Sequence, residues 1–101
     1  MKVIINGKKY DTETAKEVCG YSSGYCSDFH YISETLYRKK TGEFFIYGEG
    51  GAMSKYSKSC GNGSFSGAEE IIPITVDDAK KFTEEYGSVE AYENIFGEVE
   101  E

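Results

Sequence analysis

The stretch FHYISETLYRKKTGEFFIY, residues 29–47, predicts the β-hairpin around which the rest of the chain is arranged. Its first half alternates with the period of two that is typical of a strand, and β-branched and aromatic residues are frequent in it. The two faces of this strand are Phe29, Tyr31, Ser33, Thr35 and Tyr37 on one side, and His30, Ile32, Glu34, Leu36 and Arg38 on the other. Lys40-Thr41-Gly42 then forms the turn, and residues 43–47 return as the second strand.

The N-terminal segment predicts a second hairpin, followed by a helix. Asn6-Gly7 separates residues 2–5 from residues 8–10 and supplies the two positive φ angles that a type I′ turn requires. Asp11 or Thr12 can cap a short helix that ends at Gly20. The buried face of this early helix would be Ala15, Val18 and Cys19.

The C-terminal third predicts a strand and two helices. Residues 71–74 form a brief strand, which the proline at position 73 restricts to an edge or strand end. Thr75 caps a helix that Gly87 ends, and Ser88 caps a second helix that Gly97 ends. We therefore expect one α+β domain over residues 1–101, with a small, mostly antiparallel sheet of about four to five strands, one early helix and two C-terminal helices.

The charge is unevenly distributed along the chain. The net charge is -7, and residues 76–101 contain nine acids and two bases, whereas residues 1–75 contain nine of each. The C-terminal quarter would repel nucleic acid and attract a cationic protein surface. We therefore predict a protein partner and no direct contact with nucleic acid.

The length of the apolar runs and the number of cysteines indicate where in the cell the protein is located. The apolar run near the start, Val3-Ile4-Ile5, is shorter than that of a signal peptide, and no run approaches the roughly 20 residues of a membrane span. Three cysteines are an odd number for a disulfide framework. We expect free thiols, a cytoplasmic location and no membrane contact.

The stretch GEGGAMSKYSKSCGNGSFSG, residues 48–67, contains eleven Gly or Ser residues. It differs from a P-loop because no helical pattern follows until Thr75. A less regular anion or small-ligand site remains an alternative, built from Gly50, Gly51, Ser54 and Lys55. The simpler interpretation is an irregular surface loop that Tyr56 and Phe65 attach to the body of the protein.

One histidine and three cysteines raise two chemical alternatives. Cys19, Cys26, His30 and Cys60 have the residue types of a Cys3His zinc set, but their spacing lacks the short Cys-x2-Cys pairs of such sites. Cys26 or Cys60 beside His30 would be a nucleophile and its base, without a recognisable surrounding motif. Ordinary cysteines explain the pattern more simply, so we predict no metal, cofactor or catalytic residue.

Three phrases resemble a known family. They are INGKKYDTETA (residues 5–15), ETLYRKKTGEFF (34–45) and YGEGGAMSKY (47–56). Together they resemble small proteins carried by phages and other mobile elements of Firmicutes and gut bacteria, which look like anti-CRISPR proteins directed at the type II effector nuclease. The resemblance implies inhibition by binding inside the bacterial host cell. The matching positions that it singles out are Gly48, Glu49, Gly50, Gly51, Ser54, Lys55 and Tyr56.

The leading hypothesis is therefore an inhibitor that binds a CRISPR effector nuclease or its guide complex. Such nucleases hold their nucleic acids in positively charged channels, to which an acidic protein is attracted. The predicted partner-binding residues are Asp77, Asp78, Glu84, Glu85, Tyr47, Glu49 and Tyr56. A homodimer formed through an open sheet edge is a further prediction.

Overall fold

A computed structural model describes residues 1–24, 30–51, 56, 58–61 and 64–97, with backbone only for 58–61 and 64–66. The strands are β1 Lys2–Ile5, β2 Lys8–Asp11, β3 Lys16–Ser23, β4 Ile32–Arg38, β5 Phe44–Gly50, β6 Lys58–Gly61, β7 Ser64–Ser66 and β8 Ala68–Ile74. The helices are α1 Val76–Tyr86 and α2 Val89–Phe96. The predicted α+β class is confirmed.

The central sheet has four antiparallel strands in the order β3-β4-β5-β8. Its middle is the predicted hairpin of β4 and β5, in which Leu36 pairs with Ile46 and Tyr37 with Phe45. Pro73 lies in β8, which is an edge strand, as its missing N–H predicts. β1 and β2 form a separate two-stranded sheet, as do β6 and β7.

Both faces of the central sheet are covered by apolar contacts. The two helices cover one face, where Leu36, Phe44 and Ala79 form the buried centre. The N-terminal hairpin covers part of the other face, where Tyr10 packs edge-on against Phe45 with ring centroids 5.6 Å apart. Because side chains alternate between faces along a strand, the adjacent residues Phe44 and Phe45 enter different cores.

The predicted early helix is wrong, because residues 16–23 form β3 instead. Asp11 does make a turn: its carboxylate accepts a 2.9 Å hydrogen bond from the N–H of Glu13, and its carbonyl accepts one of 3.1 Å from the N–H of Ala15. Residues 16–23 then pair with β4. Without this pairing, the backbone N–H and C=O groups along one edge of β4 would have no partner strand. A β-bulge after Glu17 places Val18 and Cys19 against the helices.

The Asn6-Gly7 turn and the capping signals of the two C-terminal helices are confirmed. Asn6 and Gly7 have φ angles of 52° and 78°, as the type I′ turn requires. The hydroxyl of Thr75 accepts a 3.1 Å hydrogen bond from the N–H of Asp78, and that of Ser88 accepts one of 3.0 Å from the N–H of Ala91. Within the described ranges, neither helix has the length and apolar character needed to cross a membrane.

Candidate partner-binding surface

The acids of α1 are on the surface and lack basic partners among the described residues. Asp77 and Asp78 lie in the first turn, Glu84 and Glu85 lie near its end, and all four are exposed. The ion pairs of the described residues are Lys8–Glu43 at 3.0 Å, Lys9–Asp11 at 3.9 Å and Lys39–Glu43 at 3.3 Å. All three join residues of the N-terminal body, residues 1–75, and none of them involves an acid of α1 or α2.

The two helices together contain six acids and two bases. The ammonium of Lys80 lies 5.8 Å from the ring centroid of Phe96, so it faces α2. Glu90 is exposed in the first turn of α2, and Glu93 is half-buried one turn later. The helical end therefore presents a mainly negative surface.

A groove of about 500 Å³ separates the end of α1 from the start of α2. Its buried wall includes Thr83, which is 1% exposed and donates a 2.8 Å hydrogen bond to the carbonyl of Ala79. The residues lining the groove are Thr83, Glu84, Gly87, Ser88, Val89, Tyr92 and Glu93. It thus combines carboxylates with an aromatic ring and an exposed valine.

A second polar cluster, which the sequence reasoning missed, lies beneath α1. Glu34 is only 7% exposed, and its carboxylate accepts hydrogen bonds from the hydroxyls of Tyr21 and Tyr56. The ring of Tyr21 stacks on Tyr86 of α1, with centroids 4.1 Å apart. A glutamate on the same face of β4 as Leu36 was the available signal, because a carboxylate facing a core requires hydrogen-bond donors.

Burial and carboxylates keep these tyrosines protonated. Burial, followed by the hydrogen bond to Glu34, raises the pKa of both Tyr21 and Tyr56. On the other face of the sheet, burial and the hydrogen bond to Glu69 raise the pKa of Tyr47 in the same way. A hydroxyl that holds its proton donates a stable hydrogen bond, so these contacts serve as structural anchors.

The predicted partner-binding residues are divided among three places. The acids of α1 are exposed on the helical end, and Tyr56 is buried against the sheet at 4% exposure, where its hydroxyl donates to Glu34. Tyr47 and Glu49 project from the opposite face of the sheet, because they alternate with Gly48 along β5. There Glu49 accepts a 3.2 Å hydrogen bond from the hydroxyl of Tyr31. A flat partner cannot contact all of these residues at once.

The predicted anion site is only partly visible. Gly50 is buried in β5, and the N–H of Gly51 donates a 2.8 Å hydrogen bond to the carbonyl of Tyr31. This N–H is therefore engaged by the sheet. Ser54 and Lys55 lie outside the described residues.

The predicted zinc and nucleophile alternatives are also only partly visible. The Cys19 thiol lies 3.9 Å from the Thr83 hydroxyl, and burial raises its pKa, which favours the unreactive protonated form. His30 is exposed, Cys26 lies outside the described residues, and so does the side chain of Cys60. The described part of the chain contains no group of three or more His, Cys, Asp or Glu residues suited to a metal ion.

No protein-family model, curated protein or solved structure matches this chain. The resemblance to anti-CRISPR proteins therefore stays a prediction.

Proposed function

We propose that the chain is a non-enzymatic inhibitor that binds a cationic protein surface through α1 and α2. The observation that carries this proposal is the set of exposed acids on α1, which form no ion pair with a described base, whereas Lys8, Lys9 and Lys39 of the N-terminal body are each paired with an acid there. Exposed like charges on one surface repel each other and gain favourable interactions when a surface of opposite charge approaches.

The partner suggested by the resemblance is a type II CRISPR effector nuclease or its guide complex, in the cytoplasm of a bacterial host. Its nucleic-acid channels are lined by Lys and Arg, and these are the groups that an acidic helix pair attracts. Binding there would block DNA engagement or cleavage without a cofactor. The protein would act as a product of a phage or another mobile element.

The test is inhibition of target-DNA cleavage by the purified nuclease and guide, with the four acids of α1 replaced as Asp77→Asn, Asp78→Asn, Glu84→Gln and Glu85→Gln. We expect the concentration needed for half-inhibition to rise at least tenfold, because the attraction to the cationic surface is lost. Circular dichroism of the variant should match the parent protein. Full inhibition by a folded four-site variant would contradict the proposal.

A matched pair of variants separates local contacts from net charge. Glu84→Gln/Glu85→Gln and Glu13→Gln/Glu17→Gln remove the same number of charges, but Glu13 and Glu17 are exposed residues of the N-terminal body. We expect only the first pair to weaken inhibition strongly. Equal weakening by both pairs would show that the helices are not the docking surface.

A further inference from the structure

The groove between α1 and α2 has features that go beyond a general negative charge. Its lining includes a carboxylate from each helix, Glu84 from α1 and Glu93 from α2, together with Tyr92 and Val89. We propose that this groove binds an arginine side chain of a partner protein. This inference rests on the proposed function, in that it assigns a specific contact to the same helical end.

The charge of the groove favours a cation. Glu84 and Glu93 line one concave space, and no Lys or Arg is among the residues lining it. The nearby base of α1, Lys80, faces the ring of Phe96 instead. A cationic group in the groove would relieve the repulsion between the two carboxylates. It would not have to compete with a base among the lining residues.

The apolar part of the groove favours a long side chain with a planar cation. Val89 is 75% exposed, which is the highest exposure of the large hydrophobic residues in the described chain. A methylene stem that packs on Val89 would remove this surface from water. The Tyr92 ring can receive a guanidinium by stacking, as aromatic faces commonly do.

The groove is formed before any partner binds. The ring of Tyr92 packs against Phe96 with centroids 5.0 Å apart, and Phe96 in turn stacks on Phe44 of the sheet at 5.4 Å. Ser88 fixes the start of α2, because its hydroxyl accepts a hydrogen bond from the N–H of Ala91. Less ordering is then required on binding, which favours affinity. Arginine fits better than lysine because its planar guanidinium can donate two hydrogen bonds to a carboxylate and also stack on an aromatic ring.

The test is an NMR titration of the full chain with a capped Gly-Arg-Gly peptide and with its citrulline counterpart, which replaces the guanidinium with a neutral group of similar shape. We expect saturable shifts of the backbone amides of Gly87, Val89 and Tyr92 with the arginine peptide. The dissociation constant should be at least tenfold higher with citrulline. Equal binding of the two peptides, or shifts confined to other parts of the chain, would overturn the inference.

The variant Glu84→Gln/Glu93→Gln should raise the dissociation constant at least tenfold. It should remain folded, because carboxylates in the later turns of a helix oppose the helix dipole and their neutralisation does not weaken the helix. The charge-matched Glu13→Gln/Glu17→Gln variant should bind within twofold of the parent protein. Equal weakening of binding by the two variants would mean that net charge alone explains the effect, and it would overturn the inference that the groove binds arginine.

The peptide titration and the cleavage assay can fail separately. If arginine does not bind in the groove but inhibition still depends on the acids of α1, the inference about the groove is contradicted and the proposed function is retained. If the groove binds arginine and the nuclease is not inhibited, the proposed nuclease target falls and the arginine site stands.

Discussion

Gly48 has no side chain, and this allows the ring of Tyr56 to lie directly on the backbone of β5. A Cβ atom at position 48 would be 2.0 Å from the Cζ atom of Tyr56, far inside van der Waals contact. The tyrosine hydroxyl can then reach Glu34 on the neighbouring strand, opposite Gly48. A glycine in the middle of a strand, usually a weakness, here makes room for an anchor of the Gly/Ser-rich stretch.

At the residue scale, we predict that Gly48→Ala destabilises the protein by about 1 to 3 kcal/mol, the usual cost of forcing an extra group into a packed site. Urea unfolding would measure it. In a Tyr56→Ala background the same substitution should cost much less, because the clashing ring is absent. An equal cost in both backgrounds would show that the ring of Tyr56 is not the neighbour that forbids a side chain at position 48.

The elements differ in how strongly nearby residues determine them. α1 and α2 are preceded by Thr75 and Ser88, whose hydroxyls accept hydrogen bonds from N–H groups of the first turn. Both helices were predicted from these capping residues. The hairpins were likewise predicted from Asn6-Gly7 and from the turn at Gly42, which has a φ of 94°. In contrast, Ala15, Val18 and Cys19 have the spacing of a helical face, and residues 16–23 nevertheless form a strand.

At the element scale, we predict that Thr75→Ala destabilises the protein by about 0.5 to 2 kcal/mol, the usual cost of losing an N-cap. The hydroxyl that accepts from the N–H of Asp78 is lost, and that donor has no other partner within the helix. Thr75→Ser keeps the acceptor and should retain most of the stability. Denaturant unfolding would compare the two. The prediction is contradicted if serine and alanine cost the same.

The whole molecule depends on contacts between layers that are distant in sequence. Three tyrosines show this most clearly, since Tyr21, Tyr47 and Tyr56 donate to carboxylates on other strands or segments. The negative helical end is also a property of the whole molecule. The acids of α1 lie exposed on the helical end, and the ion pairs of Lys8, Lys9 and Lys39 are formed with Glu43 and Asp11 instead.

At the scale of the whole molecule, we predict that stability falls as the pH rises above about 10, the ordinary pKa of tyrosine. The fold raises the pKa of Tyr21, Tyr47 and Tyr56, so their contribution to stability is complete below that pH. Above it the unfolded chain releases protons that the folded protein retains, and unfolding becomes more favourable.

Unfolding by urea at a series of alkaline pH values, followed by tyrosinate absorbance, would measure this effect. The Tyr21→Phe/Tyr56→Phe variant should show a shallower fall of stability with pH, because two of the groups responsible are gone. An unchanged slope in this variant would mean that these hydroxyls ionise in the folded protein as they do in the unfolded chain.

The sequence by itself determined the α+β class, the central hairpin, the proline-containing edge strand and both C-terminal helices. Each has a signal within a few residues, such as a turn with positive φ, a capping hydroxyl or a proline without an N–H, and these act on the backbone locally. The uneven charge is also fully present in the sequence.

The sequence predicted that Tyr56 attaches the Gly/Ser-rich stretch to the body, and the structure bears this out. Only the tertiary structure decided that residues 16–23 form a strand, which residues Tyr56 packs against, and that a groove lies between the helices. A strand gains its hydrogen bonds from a partner strand, so the free edge of β4 outweighed a helical pattern in β3. Tyr56 is buried because a distant strand offers both a glycine and a carboxylate in register. These outcomes depend on which elements meet, and local residue patterns do not contain that information.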